Sequence, residues 1–125
     1  MKNLYKLLVL SGMALFLGSC YYDTYPIEEE LPVPDDVSYS QDIQPLWDRD
    51  CVSNCHPPTP PNLTVGLSRN ALINGGYVIP GDSRNSRLYK SFFGLDGVSE
   101  MPAGGWNIND ANLVAKWIDE GAQDN

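Results

Sequence analysis

Basic side chains are scarce in this chain of 125 residues, where eight lysines and arginines stand against sixteen aspartates and glutamates and the formal net charge is −8. This shortage excludes a surface that binds nucleic acid, because a phosphate backbone repels acidic proteins. It favours a protein partner with a basic docking face, since opposite charges steer association at low ionic strength. The sequence also lacks a nucleophile paired with a base, a paired acidic site and a phosphate-binding loop. We therefore expect no catalytic activity of its own.

A long hydrophobic run is absent, since the apolar stretch at 7–17 is shorter than the roughly 20 residues that a membrane-spanning helix requires. Two lysines precede this stretch and no acidic residue does, which is typical of a targeting segment. The ending Leu17-Gly18-Ser19-Cys20 resembles the lipobox of bacterial lipoproteins. The resemblance implies export, removal of the signal peptide before Cys20 and lipid attachment at that cysteine. Tyr21 in the next position resembles lipoproteins of the outer membrane, which face the periplasm or the cell surface.

Apolar periodicity is absent from 21–37, where prolines and acidic residues dominate. Such a composition predicts an extended, solvated tether between the membrane anchor and the folded part. The remaining segment, 38–125, has no internal repeat and no second linker. We expect it to form one small domain.

Alternation of apolar and polar residues, the pattern of a half-buried strand, is also absent, whereas apolar residues recur at helical spacing. The expected fold class is all-α. Four helices are predicted: one capped by Asp42 with Pro45 in its first turn, one that follows Ser68 and stops at Gly75-Gly76, one from Ser86 to Phe93 capped by Asn85, and one between the cap Asn109 and Gly121. The last has the clearest apolar stripe, which consists of Leu113, Val114, Trp117 and Ile118.

Cysteine and histidine are rare, and most of them lie together. Apart from Cys20 the chain has two cysteines, Cys51 and Cys55, and its single histidine is His56. Covalent haem attachment requires two thiols on one face, which bind two vinyl groups, and an imidazole directly after them for the iron. The usual spacing leaves two residues between the thiols, whereas three stand here. Both spacings keep the thiols on one side of a helix, so the variant is feasible but less specific.

Methionine is equally scarce, because Met101 is the only one beyond the targeting segment. A methionine that fills a core is expected on an apolar helical face, but Met101 lies in the turn sequence of 100–105, which ends with two glycines. Imidazole and thioether are the axial pair of c-type electron carriers. Given a haem, we expect His56 and Met101 to bind its iron.

The order of motifs from 38 to 125 resembles that of the small cytochrome c-like domains of planctomycete and Bacteroidetes lipoproteins. The stretches that carry the resemblance are 40–46, 51–56, 79–89, 101–105 and 117–122. The resemblance implies a helical domain around one covalent haem c, with Cys51 and Cys55 attached to the haem, His56 as proximal ligand and Met101 as distal ligand. It implies an electron carrier, which could serve an oxidoreductase, and a redox protein as its partner.

Two other interpretations of the same residues stay open. Cys51 and Cys55 could form a disulfide in a non-redox interaction domain, because Cα atoms one helical turn apart lie within disulfide range. The two cysteines, His56 and Met101 could instead bind copper(I), which accepts all of these ligands. Zinc is disfavoured, because structural zinc sites take four nitrogen or sulfur ligands without a thioether.

Overall fold

The computed structural model describes residues 30–53, 55–56 and 59–125. The predicted signal peptide, the lipid-bearing Cys20 and the first part of the predicted tether lie outside the described residues. All regular elements in the described ranges are helical and no strand occurs among them, so the predicted all-α class is confirmed. In the same ranges, no helix combines the length and the apolarity that crossing a membrane would require.

The first helix, α1, covers 39–52 and consists of three consecutive segments: Tyr39–Ile43, Gln44–Trp47 and Asp48–Val52. The first and last segments are wide π-helical turns, and the middle one is α-helical. The first wide turn ends at Ile43, two residues before Pro45. Because proline has no N–H and its ring clashes with the carbonyl four residues earlier, the wider turn accommodates it inside the helix.

Ser38, not Asp42, caps the start of α1, so the predicted cap is wrong. The Ser38 Oγ atom accepts from the Gln41 N–H at 3.3 Å, and the Ser38 N–H donates to Asp42 Oδ2 at 2.8 Å. The two side chains cap the helix reciprocally, with the aspartate inside its first turn. Either residue type suits a cap, and the one that starts the helix lies four positions earlier than the one we predicted.

Three further helices follow: α2 over Ser68–Asn74, α3 over Arg87–Phe92 and α4 over Ile108–Asp119, with a short 3₁₀ turn at Leu95–Gly97 between the last two. The predicted stop of α2 is confirmed, because Gly75 occupies its C-terminal cap position. The predicted stop of α4 is confirmed as well, since Gly121 has a φ of 100°, which favours glycine.

Two other predicted caps are wrong. Asn107 caps α4, since its side chain accepts from the backbone N–H groups of Asn109 and Asp110. The Asn85 side chain donates to Asp82 at 2.7 Å instead of capping α3. That helix begins one residue later and ends one residue earlier than predicted.

A single apolar core joins α1 to the other helices. Its largest fully buried side chains are those of Trp47 and Trp117, which are 0% and 1% exposed. The ring of Tyr39 lies 5.0 Å from that of Trp117 and connects the start of α1 to α4. The remaining buried apolar residues are Val37, Ile43, Leu46, Leu63, Leu72, Val78, Phe92, Ala111, Val114, Ile118 and Ala122.

The described part of the predicted tether, 30–37, contacts the domain. Val37 is buried in the core and Val33 packs against it. The Leu31 N–H donates to Asn109 Oδ1, in α4, at 2.8 Å. The core therefore includes Val37, and Val33 packs against it, although the proline-rich composition predicts that both belong to the tether.

Candidate functional site

The cysteine motif lies where α1 ends. Cys51 belongs to the last wide turn of the helix, and the backbone N–H groups of Cys55 and His56 both donate to its carbonyl oxygen, at 3.4 and 3.1 Å. These bonds continue the helical turn beyond Val52. The structure therefore brings the two cysteines and the histidine together on one turn of the chain.

The two thiols differ in their surroundings. Both are free, but Cys51 is half-buried against the core whereas Cys55 is exposed. Burial, together with the nearby charge of Asp50, raises the pKa of the Cys51 thiol to about 11. Cys51 is thus a neutral thiol at physiological pH, and Cys55 is the more accessible of the two.

The imidazole of His56 is oriented by backbone carbonyls. Its Nδ1 atom lies 2.9 Å from the Pro61 carbonyl oxygen and 3.0 Å from that of Thr59. A carbonyl oxygen only accepts, so Nδ1 carries the proton and, in the neutral ring, Nε2 has a free lone pair. Histidine ligands of metals are usually oriented in this way by a partner on the other nitrogen.

Met101 lies on a separate loop between α3 and α4, and 52% of its surface is exposed. Its backbone N–H donates to the carbonyl of Ser91, in α3, at 2.8 Å. Gly104 and Gly105 have φ values of 101° and 83°, which side chains other than glycine rarely allow. The turn that the two glycines predicted is therefore present, and the thioether is accessible to a ligand.

The indole of Trp106 connects this loop to the cysteine motif, and sequence reasoning missed it. Its Nε1–H donates to Asp50 Oδ2 at 2.9 Å, and Asp50 directly precedes Cys51. The centroid of the indole ring lies 4.0 Å from that of the Phe92 ring and 5.4 Å from that of the Trp47 ring. An aromatic residue directly after two turn-forming glycines was the available signal, because a tryptophan in a turn needs a partner for its N–H.

Further rings extend this contact along α3. The ring of Tyr89 lies 5.4 Å from that of Phe93 and 6.2 Å from that of Phe92, and both Tyr89 and Phe93 are half-buried. Through Phe92 these rings join Trp106, whose N–H is bonded beside Cys51. A series of ring contacts therefore connects Trp106, through the buried Phe92, to the half-buried Tyr89 and Phe93.

An ion-pair cluster fixes Asp50. The Arg49 guanidinium contacts Asp50 Oδ2 at 2.6 Å and Asp110 Oδ2, in α4, at 2.5 Å. The hydrogen bonds that Asp50 accepts from Arg49 and Trp106 hold the pKa of its carboxyl below its usual range, because they favour the charged form. Asp50 is thus an ionised acceptor for the Trp106 N–H.

Among residues 30–53, 55–56 and 59–125, no three side chains of histidine, cysteine, aspartate or glutamate form a group that could hold a metal ion. In this structure Cys51, Cys55 and His56 therefore do not converge as three ligands of one metal ion would. Haem attachment does not need such convergence, because thioethers bind the rim of the macrocycle and the imidazole binds the iron at its centre.

Comparison with known proteins found no relative of this chain. No protein-family model matches the chain, and searches of curated proteins and of solved structures found no match either. The functional interpretation therefore depends on the residues and the geometry of the chain itself.

Proposed function

We propose that this chain is a membrane-anchored c-type cytochrome that transfers electrons through one covalent haem. Cys51 and Cys55 hold the haem, His56 is the proximal ligand and Met101 is the distal ligand. Apolar side chains of the helical domain would pack against the haem, as in small cytochrome c-like domains. When bound, haem c supplies a reversible one-electron couple.

The observation that carries this proposal is the wide turn between Cys51 and His56. With the usual two-residue spacing, the histidine follows the first cysteine by four residues, and its N–H would close an α-helical turn. Here the histidine follows by five residues, and its N–H still reaches the Cys51 carbonyl, at 3.1 Å. Such a bond is that of a π-helical turn, which holds one more residue than an α-helical turn. The extra residue of the motif is thus absorbed by the turn.

The surroundings of the motif support the same function. The bonds from His56 Nδ1 to backbone carbonyls leave Nε2 as the ligand atom and keep the ring from rotating. The half-buried rings of Tyr89 and Phe93 offer apolar surface and are connected to Trp106 through Phe92. The accessible Met101 supplies a soft sulfur ligand, which favours reduced iron and raises the reduction potential.

The anchor and the partner belong to the same proposal. A lipid on Cys20 would hold the exported domain at a membrane, the outer membrane of a bacterium by its resemblance. The chain's net charge of −8 fits a redox partner with a basic docking face. In cell fractionation, Cys20→Ala should release the protein from the membrane without changing its circular dichroism.

Haem attachment is tested by exporting the full chain, as its Cys20→Ala variant, from cells that contain a haem-attachment system. The protein is then denatured with reductant, treated with a thiol label and weighed intact. We expect the added mass of one haem and no label on Cys51 or Cys55, because thioethers survive reduction whereas a disulfide opens to two thiols. A bare polypeptide with two labels would overturn the proposal.

Two variants serve as controls for this experiment. Cys51→Ala with Cys55→Ala should carry no covalent haem. Deletion of the exposed Ser53 restores the usual two-residue spacing and serves as the positive control for the attachment system. If only the deletion variant acquires haem, the wide turn does not compensate for the extra residue and the proposal fails.

A further inference from the structure

The loop that carries Met101 is closed on itself. The Gly105 N–H donates to the Pro102 carbonyl at 3.1 Å, which closes a turn directly after Met101. A Cβ atom on Gly105 would lie only 2.9 Å from Glu100 Oε1, so the two arms of the turn approach closely. The segment 100–105 is therefore a compact turn, and its position depends on what holds its two ends.

One end of the turn is held by α3 and the other by α1. At the first end, the Met101 N–H donates to the Ser91 carbonyl at 2.8 Å. At the second end, the Trp106 Nε1–H donates to Asp50 Oδ2 at 2.9 Å. In the second bond the acceptor belongs to the residue next to Cys51, so it links the methionine loop to the haem-attachment motif.

The Asp50 carboxylate is itself held in place. Its side chain is 23% exposed, and the Arg49 guanidinium bonds to both of its oxygens, at 3.0 Å from Nε and 2.6 Å from the terminal nitrogen. The same guanidinium bonds to Asp110 at the start of α4. Asp50 therefore faces Trp106 from a fixed position, while the indole ring is held by Phe92 and Trp47.

We infer that Asp50 and Trp106 are positioning residues for the proposed distal ligand Met101, because their bond holds the methionine loop at the cysteine end of α1. The inference rests on the proposed function. A weak axial ligand on a surface loop binds well only if the loop is already ordered, since ordering it costs conformational entropy. Loss of the bond should leave the haem attached but make Met101 easier to displace.

The test uses the haem-loaded full chain and measures the affinity of ferric haem for added imidazole, which competes with Met101. We expect Asp50→Ala and Trp106→Phe each to bind imidazole about tenfold more tightly, the effect of one lost charge-assisted hydrogen bond. Asp50→Asn should fall between these variants and the parent, because an amide oxygen still accepts from the indole. The near-infrared band of methionine-bound ferric haem should weaken in the same order.

Asp110→Ala is the matched control, because Asp110 shares the Arg49 guanidinium but not the Trp106 N–H. It should bind imidazole as the parent does. Asp50→Ala combined with Trp106→Phe should bind imidazole no more tightly than either single variant, since both substitutions remove the same bond. Additive effects, or an equal effect of Asp110→Ala, would overturn the inference.

Hydrogen exchange separates this inference from the proposed function. In the full chain without haem, the amides of 100–105 should exchange faster in Asp50→Ala and Trp106→Phe than in Asp110→Ala. If the parent never acquires haem, the proposed function fails while the exchange experiment still tests the bond. If the exchange rates of the three variants are equal, the bond does not hold the loop and the inference fails whether or not haem is attached.

Discussion

The two ends of α1 lie in different surroundings. At its start, Tyr39 is buried, its hydroxyl lies 2.5 Å from Ser68 Oγ, and it accepts from the Trp47 indole N–H at 3.3 Å. At its other end, Cys51 is half-buried and Cys55 is exposed. Among the described residues, no buried side-chain polar atom lacks a hydrogen-bond partner. The start of α1 is therefore part of a completed core, whereas its end keeps reactive groups accessible.

We therefore expect the start of α1 to contribute mainly to stability and its cysteine end mainly to chemistry. Substitutions at the start of α1 remove packing and buried hydrogen bonds, which small domains tolerate poorly. Substitutions at the cysteine end, and at Met101 on the loop bonded to it, change two thiols, an imidazole and a thioether that lie outside the buried core. We expect the two ends to respond to mutation in opposite ways.

The largest expected effect is on stability and comes from the core. Trp47→Ala removes a fully buried indole and should lower the free energy of unfolding by about 3 to 5 kcal/mol. Met101→Ala removes a side chain that is 52% exposed and should change it by less than about 0.5 kcal/mol. Urea unfolding of the haem-free chain, followed by circular dichroism, compares the two.

In the haem-loaded chain, by contrast, we expect Met101→Ala to have a large effect on the properties of the haem. Met101→Ala should keep the covalent haem, lose the near-infrared band of methionine-bound ferric haem and have a lower reduction potential. A spectrum and potential equal to those of the parent would mean that the sixth ligand is not Met101. A large loss of stability in the haem-free chain would contradict the division between the two ends.

A smaller effect should separate the two cysteines. The pKa of Cys51 is raised to about 11 by burial, so at pH 8 this thiol is mostly protonated and shielded from reagents. In the folded, haem-free chain Cys55 should react with iodoacetamide at least about tenfold faster than Cys51. Peptide mass spectrometry at successive times measures both rates, and in denaturant the two should become similar. Equal rates in the folded chain would show that Cys51 is not shielded.

The smallest expected effect is on the pH dependence of the free energy of unfolding, to which Asp50 contributes. Arg49 lowers the pKa of this carboxyl in the folded state, so its contribution to stability is present above the usual aspartate range and is lost as the pH falls through the folded value. Asp50→Asn should therefore unfold with a shallower dependence on pH below that range. Urea unfolding at several acid pH values measures the slope. A slope equal to that of the parent would mean that the ion pair adds nothing to stability.

Local patterns predicted the helices well and their caps poorly. The apolar stripe of α4 was read directly from its spacing, and Val114, Trp117 and Ile118 are buried. The sequence predicts Asn109 as the cap, because it stands just before an acidic residue, Asp110. Asn107 is the cap instead, and the Asn109 side chain accepts from the Leu31 N–H, 78 residues away in the chain. Two asparagines near the start of the same helix have equal local preference, so a distant contact is needed to distinguish them.

The amino-acid sequence by itself determined the helical class, the acidity of the surface, and the thiols, imidazole and thioether that are available for chemistry, because composition and short spacings decide these properties. Only the tertiary structure decided that Val37 is buried and that the Asp50 carboxylate accepts from the Trp106 indole. It also decided that His56 reaches the Cys51 carbonyl across a wide turn. The burial of Val37 and the bond between Asp50 and Trp106 bring together residues that are far apart in the chain. The width of a turn depends on how the helix packs. Local preference specifies neither.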